Sequence, residues 1–134
     1  MKRYVTDTHA LLWHILGSKR LSSRAKSIFE DTDKGRGQIY IPAIALVEIV
    51  YLMEKAKIPP ESVENVIKLF DSHPKNYTLA QITPPTIHAL ISVPRELIPE
   101  MPDRIIMATA AELGLPLITK DSKIKAAKVV KVIW

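Results

Sequence analysis

Residues Pro102–Asp121, PDRIIMATAAELGLPLITKD, read as a helix followed by a strand, with an aspartate at each far end. Pro102 suits the first helical turn, where its missing N–H is no loss, and Asp103 follows it in the same turn. Gly114 and Pro116 close the helix, and Leu115 to Thr119 form a short apolar run before Lys120 and Asp121. About 11 helical residues at roughly 1.5 Å each span on the order of 16 Å, and about five or six strand residues at roughly 3.3 Å span much the same. In an α/β protein such a helix leaves the edge where the parallel strands end, and the strand returns to it. Asp103 and Asp121 should therefore meet at the carboxyl edge, where open α/β sheets bind ligands.

Whether other groups join them depends on the rest of the chain. Arg3 to Thr6 is a strand, and Asp7 falls at its carboxyl end, just before the apolar helical stretch Thr8 to Leu16 that Gly17 terminates. Ser22 or Ser23 caps a second helix that runs to about Asp33 and buries Ala25, Ile28 and Phe29. Gln38 to Ile41 is the second strand, and Pro42 begins a helix that runs to about Ala56. From Ala43 to Met53 the one charged side chain in that helix is Glu48. A bare buried carboxylate costs several kcal/mol, so Glu48 must be paired, protonated, metal-bound or pointed at an opening.

Pro59-Pro60 opens an amphipathic helix from Glu61 to about Ser72, which reads as packing. Tyr77 to Ile82 is a third strand, Thr83 to Val93 a short helix, and Pro94 to Pro102 a stiff irregular loop. After Asp121 come one helical turn through Lys125 and a last strand from Val129 to Trp134. Strands alternate with helices and no repeat or linker interrupts them. The reading is one α/β domain over residues 1–134, with a mainly parallel sheet of four to five strands and helices on both faces.

Composition narrows the chemistry. With 134 residues, 47% of them hydrophobic, the chain can bury a real core. It has no cysteine, which excludes thiolate metal sites and a cysteine nucleophile and fits a reducing cytoplasm. The start of the chain forms no signal-peptide core, and Ile39 to Met53 is too short and too interrupted to span a membrane. A net charge of +5 favours an anionic partner, and nucleic acid is the commonest for a small basic protein. Two Phe, two Trp and four Tyr leave little for a base-stacking platform, so phosphates should dominate any such binding.

Each acid has a structural explanation of its own. Asp7 and Asp121 suit helix caps, Asp103 suits the positive end of its helix dipole, and Arg104 is an available partner for Glu48. Together they are harder to explain that way, because four carboxylates on one sheet edge repel one another in a protein of net positive charge. A cation belongs there. Oxygen ligands without cysteine, and without histidines at ligand spacing, select Mg²⁺ or Mn²⁺. His9 and His14 are five apart rather than four and read as ordinary helix residues, with His9 near the cleft.

The segments VTDTHALLW (Val5 to Trp13), ALVEI (Ala45 to Ile49) and PDRIIMATAAELGLPLITKD with Ser122 resemble the PIN-domain family, especially the VapC-type toxin ribonucleases. The likeness covers nearly the whole chain, with no departure at the four acids. It implies a PIN-like three-layer sandwich and metal-dependent endonucleolytic cleavage of RNA. It assigns Asp7, Glu48, Asp103 and Asp121 as catalytic metal ligands for Mg²⁺ or Mn²⁺, and it implies a cognate antitoxin and a homodimeric toxin.

Thr119 is placed to orient a carboxylate or a water, with Thr8 or Thr6 in a similar role. Arg104, Lys120 and Lys123, with Lys125, Lys128 and Lys131 nearby, either line an RNA path or form a solvated face. Trp13 and Trp134 read as core or dimer contacts rather than base-stacking groups. A housekeeping nuclease of the same fold fits the same residues. A Mg²⁺-binding receiver domain fits less well, since it needs paired acids after the first strand. A haloacid-dehalogenase-like phosphatase needs an aspartate where His9 stands.

Overall fold

The computed structural model describes residues Met1–Trp134. Strand β1 (Lys2–Thr6) is the centre of the sheet. It pairs with β2 (Gly37–Pro42) on one side and β4 (Leu117–Ile118) on the other, and β3 (Tyr77–Ala80) and β5 (Val132–Ile133) form the edges. All four pairings are parallel, so every strand ends on the same edge. The order β3-β2-β1-β4-β5 means that the chain grows outward from β1 in one direction and later returns to its other side. The crevice above β1 and β4 is thus the topological switch point of the sheet.

Helices cover both faces because the central strands β1 and β4 are apolar on both, Tyr4 and Ile118 on one side and Val5 and Leu117 on the other. One core cluster holds Leu11 and Leu12 of α1 (Thr8–Ile15), Phe29 of α2 (Ser23–Asp33) and Ile49 of α3 (Ala43–Glu54). With them go Val66 of α4 (Ser62–Ser72) and the strand residues Ile39, Ile41 and Ile118. The opposite cluster holds Val5 and Leu117 from the strands, Ile106, Met107 and Ala110 of α6 (Met101–Leu113), and Ile124 of α7 (Ser122–Ala127). Helix α5 (Pro84–Ile91) lies outside α6 and adds Ala89 and Leu90. Neighbours Leu117 and Ile118 feed opposite clusters, as the two-residue alternation of a strand requires.

Helix α6 has the longest buried run, with every residue from Ile105 to Ala110 buried. Full burial of one isoleucine contributes about 2 kcal/mol, so this run fixes the helix firmly against the sheet. Gly114 ends it in the left-handed conformation (φ +65°), where a side chain would be strained.

Several elements are shorter than their apolar runs. β4 keeps two of the residues expected from Leu115 to Thr119, and β5 two of those from Val129 to Trp134, since pairing there covers only two registers. β3 stops at Ala80, just before the turn into Pro84-Pro85, which have no N–H for a ladder. α6 starts at Met101, one residue earlier than expected, and Pro102 lies in its first turn as its missing N–H suits.

Candidate active site

Pairing of β1 with β4 brings the first and last acids together. The Asp7 N–H donates to the Ile118 carbonyl (3.1 Å), so the chain leaves both strands side by side at Asp7 and at Thr119–Asp121. Asp7 caps α1, its Oδ1 accepting from the Ala10 N–H at 2.9 Å. Asp121 caps α7, with Oδ1 accepting from the N–H groups of Lys123 (2.8 Å) and Ile124 (3.3 Å). The capping explanation is thus true of both, and both still line one cleft.

That cleft, about 580 Å³, is also lined by Glu48, Asp103 and Glu100. Glu48 is the sixth residue of α3 and reaches the cleft about a turn and a half from the helix start. Asp103 comes from the first turn of α6 and Glu100 from its N-cap. Five carboxylates therefore share an opening whose lining cations are Arg20 and Lys120.

Electrostatics show how closely they are coupled. Burial pushes the Asp103 carboxyl up to about 6, reinforced by the negative charges of Asp121, Glu48, Glu100 and Asp7. Burial raises Asp7 as well, and Asp121 adds to this. Hydrogen bonds from the Thr119 hydroxyl and the Ala10 N–H, together with the nearby His9, act in the opposite direction. The Thr119 hydroxyl, fully buried, also accepts from the Asp121 N–H at 3.1 Å, so one side chain ties the first acid to the last. Thr8, also buried, donates to Glu48 Oε1 at 2.6 Å.

No three His, Asp or Glu side chains are gathered into a ready-made ligand cage in this conformation. The acids share one electrostatic field, in which each neighbour raises the cost of ionising Asp103. The donor set fits a hard divalent cation nonetheless: carboxylate oxygens, no thiolate, and an Asp103 whose charge is disfavoured by its neighbours.

The structure brings Asp7, Glu48, Asp103 and Asp121 into one cleft, with Thr8 and Thr119 bonded beside them. Lys120 lines the cleft, whereas Lys123 is exposed outside its lining. Arg104 corrects the sequence reading on two counts. Its guanidinium turns away from the cleft and donates through Nη2 to the carbonyls of Leu90 (3.2 Å) and Val93 (3.0 Å). It is thus neither the partner of Glu48, which is Thr8, nor part of a cleft-lining RNA path. His14 is also more than an ordinary helix residue, since its Nε2 lies 3.1 Å from Asp33 Oδ2 and its ring stacks on Phe29.

Three lining residues were not assigned to the site by the sequence reading, Glu100, Arg20 and Ser122, while Trp13, read as a core or dimer contact, packs against the core and lines the cleft as well. Glu100 carries a local signal, an acid three residues before Asp103 at a helix start. Arg20 follows α1 in an irregular segment, and no spacing rule points it toward the cleft.

The chain belongs to the PIN domain family, which matches residues 4–130. Ribonuclease VapC22 of Mycobacterium tuberculosis is 26% identical over 126 residues, covering 94% of this chain and 92% of that protein. Among solved structures, VapBC2 from Rickettsia felis bound to a promoter DNA fragment is similar at TM-score 0.72 and 16% identity, over 98% of this chain and 97% of the other. A toxin-antitoxin complex from Klebsiella pneumoniae is similar at 0.69 and 21%, over 98% and 96%. These structures share the five-stranded α/β fold.

Proposed function

We propose that this protein is an endoribonuclease of the VapC type, the toxin of a toxin-antitoxin pair, and that it cleaves RNA with Mg²⁺ or Mn²⁺. The observation that carries the reading is the gathering of Asp7, Glu48, Asp103 and Asp121 at the switch point, each charge raising the cost of ionising Asp103. Asp7, Glu48 and Asp103 would hold a first cation, and Asp121 would complete its shell or hold a second. Such a cation supplies countercharge and Lewis-acid polarisation of a phosphodiester oxygen.

The chain's own groups prepare that arrangement. Thr119 fixes Asp7 against Asp121, and Thr8 fixes Glu48, so two of the four carboxylates are oriented by buried hydroxyls before substrate arrives. Below about pH 6 Asp103 holds a proton, which must leave before the carboxylate can act as a ligand. Lys120 and Arg20 give the acidic cleft a basic margin on which RNA phosphates rest. Thr6 donates to the Asp7 carbonyl rather than to a carboxylate and has no part in the site.

The ribonuclease name of the Mycobacterium relative and the antitoxin-bound form of the Klebsiella structure support an RNA substrate and a cognate antitoxin protein. A homodimer belongs to the same proposal. No helix is long and apolar enough to cross a membrane, and a cytoplasmic location follows from the RNA substrate. The deciding experiment incubates the purified protein with total RNA and Mg²⁺ or Mn²⁺. Cleavage should appear with either metal and disappear with EDTA and in Asp103→Asn. Full activity of that folded variant would refute the ligand assignment. A small reading frame whose product blocks the cleavage should adjoin the gene; its absence favours a housekeeping nuclease.

A further inference from the structure

Trp13 is the one apolar side chain lining the acidic cleft. Its ring is partly buried and held from two sides. Trp134 meets it edge-on at 5.7 Å between centroids, and His9 lies tilted at 5.8 Å. Both tryptophans pack against the core cluster on that face of the sheet. An indole anchored in this way is a rigid surface that loses little entropy on binding.

The charges beside it point to an anion. The Lys120 ammonium stands over the Trp13 ring, 5.9 Å from its centroid, and Arg20 lines the same cleft. Both cations are exposed, and neither forms a salt bridge with the five carboxylates they share it with. A flat aromatic with one cation over its face and a second in the same cleft, neither salt-bridged to an acid, matches one unit of a nucleic acid strand, a base beside its phosphates.

Resting on the ribonuclease reading above, we propose that Trp13, Lys120 and Arg20 form a nucleotide subsite beside the acids. In it one unpaired base of the substrate stacks on the indole, and the cations hold its flanking phosphates. The base takes the ring face over which Lys120 stands, and the ammonium moves outward on its flexible stem to a phosphate. Bases inside a duplex are already stacked and cannot reach the ring, so the substrate segment is single-stranded. Every base has a stackable face, so this contact selects unpaired over paired nucleotides rather than one base over another.

The test is a cycle between protein and substrate. An oligoribonucleotide that the protein cuts is remade with an abasic residue at each position near the cut. For wild type in Mg²⁺, one of these should raise KM about tenfold with kcat within about twofold, the size of one lost base–aromatic stack. For Trp13→Leu, KM should already be about tenfold higher, and the same abasic residue should change it less than about twofold. Trp13→Phe, which keeps a ring if the leucine variant folds poorly, should retain most of the abasic effect. A Trp134→Phe protein isolates Trp13 fluorescence, which an uncleavable 2′-O-methyl oligonucleotide should quench and an abasic one should not. Equal abasic penalties in wild type and Trp13→Leu, or equal quenching by both oligonucleotides, would overturn the subsite. Failure of the ribonuclease reading is distinct, since wild type would then cut no RNA at all.

Discussion

The Thr8 hydroxyl donates to Glu48 Oε1 across 2.6 Å, joining the first residue of α1 to the middle of α3. Thr8 is buried and Glu48 partly so, and a hydrogen bond to a charged group in such a place contributes about 1.5–3 kcal/mol. Thr8→Val keeps the shape and removes the donor. It should lower the melting temperature by several degrees and cut RNA cleavage about tenfold by freeing Glu48, while Thr8→Ser should restore most of both. Thermal melts and single-turnover kinetics on the three proteins decide it; wild-type behaviour of the valine variant would show that Glu48 is positioned by something else.

Asp103 makes stability depend on pH in an unusual direction. Its carboxyl is held up at about 6 in the metal-free fold, against an ordinary value of 3.8, so between those values the folded state binds more protons than the unfolded. The metal-free protein therefore loses stability as pH rises from about 4 to about 6, and carries the full penalty above. Asp103→Asn abolishes that charge. The metal-free variant should melt above wild type at pH 7.5, by about 3 °C if screening of this half-exposed group leaves roughly 1 kcal/mol, and level with it near pH 4. A lower melting temperature for the variant at pH 7.5 would mean that the carboxylates do not repel as inferred.

The same repulsion predicts how metal acts on the fold. Ligands that bind only the native state raise its melting temperature, by about 2.7 kcal/mol of stability at a hundred times Kd. Mn²⁺ should raise wild type strongly at pH 7.5 and much less at pH 5, where protons compete for Asp103. Asp103→Asn should respond weakly at both. An equal rise in wild type and variant would locate the bound metal away from these acids.

Local rules reached the fold and the convergence of the acids because both follow from where strands end. Asp7 and Asp121 sit one residue and three residues after their strands, and parallel pairing of β1 with β4 does the rest. Glu48 was visible because capping cannot account for an acid in mid-helix. Arg104 misled because adjacency in sequence is not direction in space. Successive helical residues point about 100° apart, so a cleft-facing Asp103 sends Arg104 toward the end of α5. Arg20 and Trp13 stayed hidden for a related reason: a loop arginine and a helix tryptophan reach the cleft through tertiary packing, which no periodicity encodes.

Placement of the cations gives a last set of contrasting outcomes. Single-stranded RNA binding weakens with salt in proportion to the phosphates neutralised, with a slope of about 0.7 per contact. Lys120 and Arg20 line the cleft, so Lys120→Ala and Arg20→Ala should each flatten that slope by roughly 0.7 and weaken binding to all sequences alike. Lys123 is exposed outside the lining, and Lys123→Ala should change it little. Arg104→Met should leave the slope unchanged, because its guanidinium is spent on the carbonyls of Leu90 and Val93. Its loss instead uncaps the end of α5 against the α6 turn that bears Asp103, costing about 1–3 kcal/mol of stability. Arg104→Lys, whose ammonium sits on a shorter stem than the Nη2 that reaches both carbonyls, should recover only part of it. Filter binding from 50 to 300 mM salt, set beside thermal melts of the four single alanine or methionine variants, separates the groups. A flattened slope for Arg104→Met would put its guanidinium back on the RNA path.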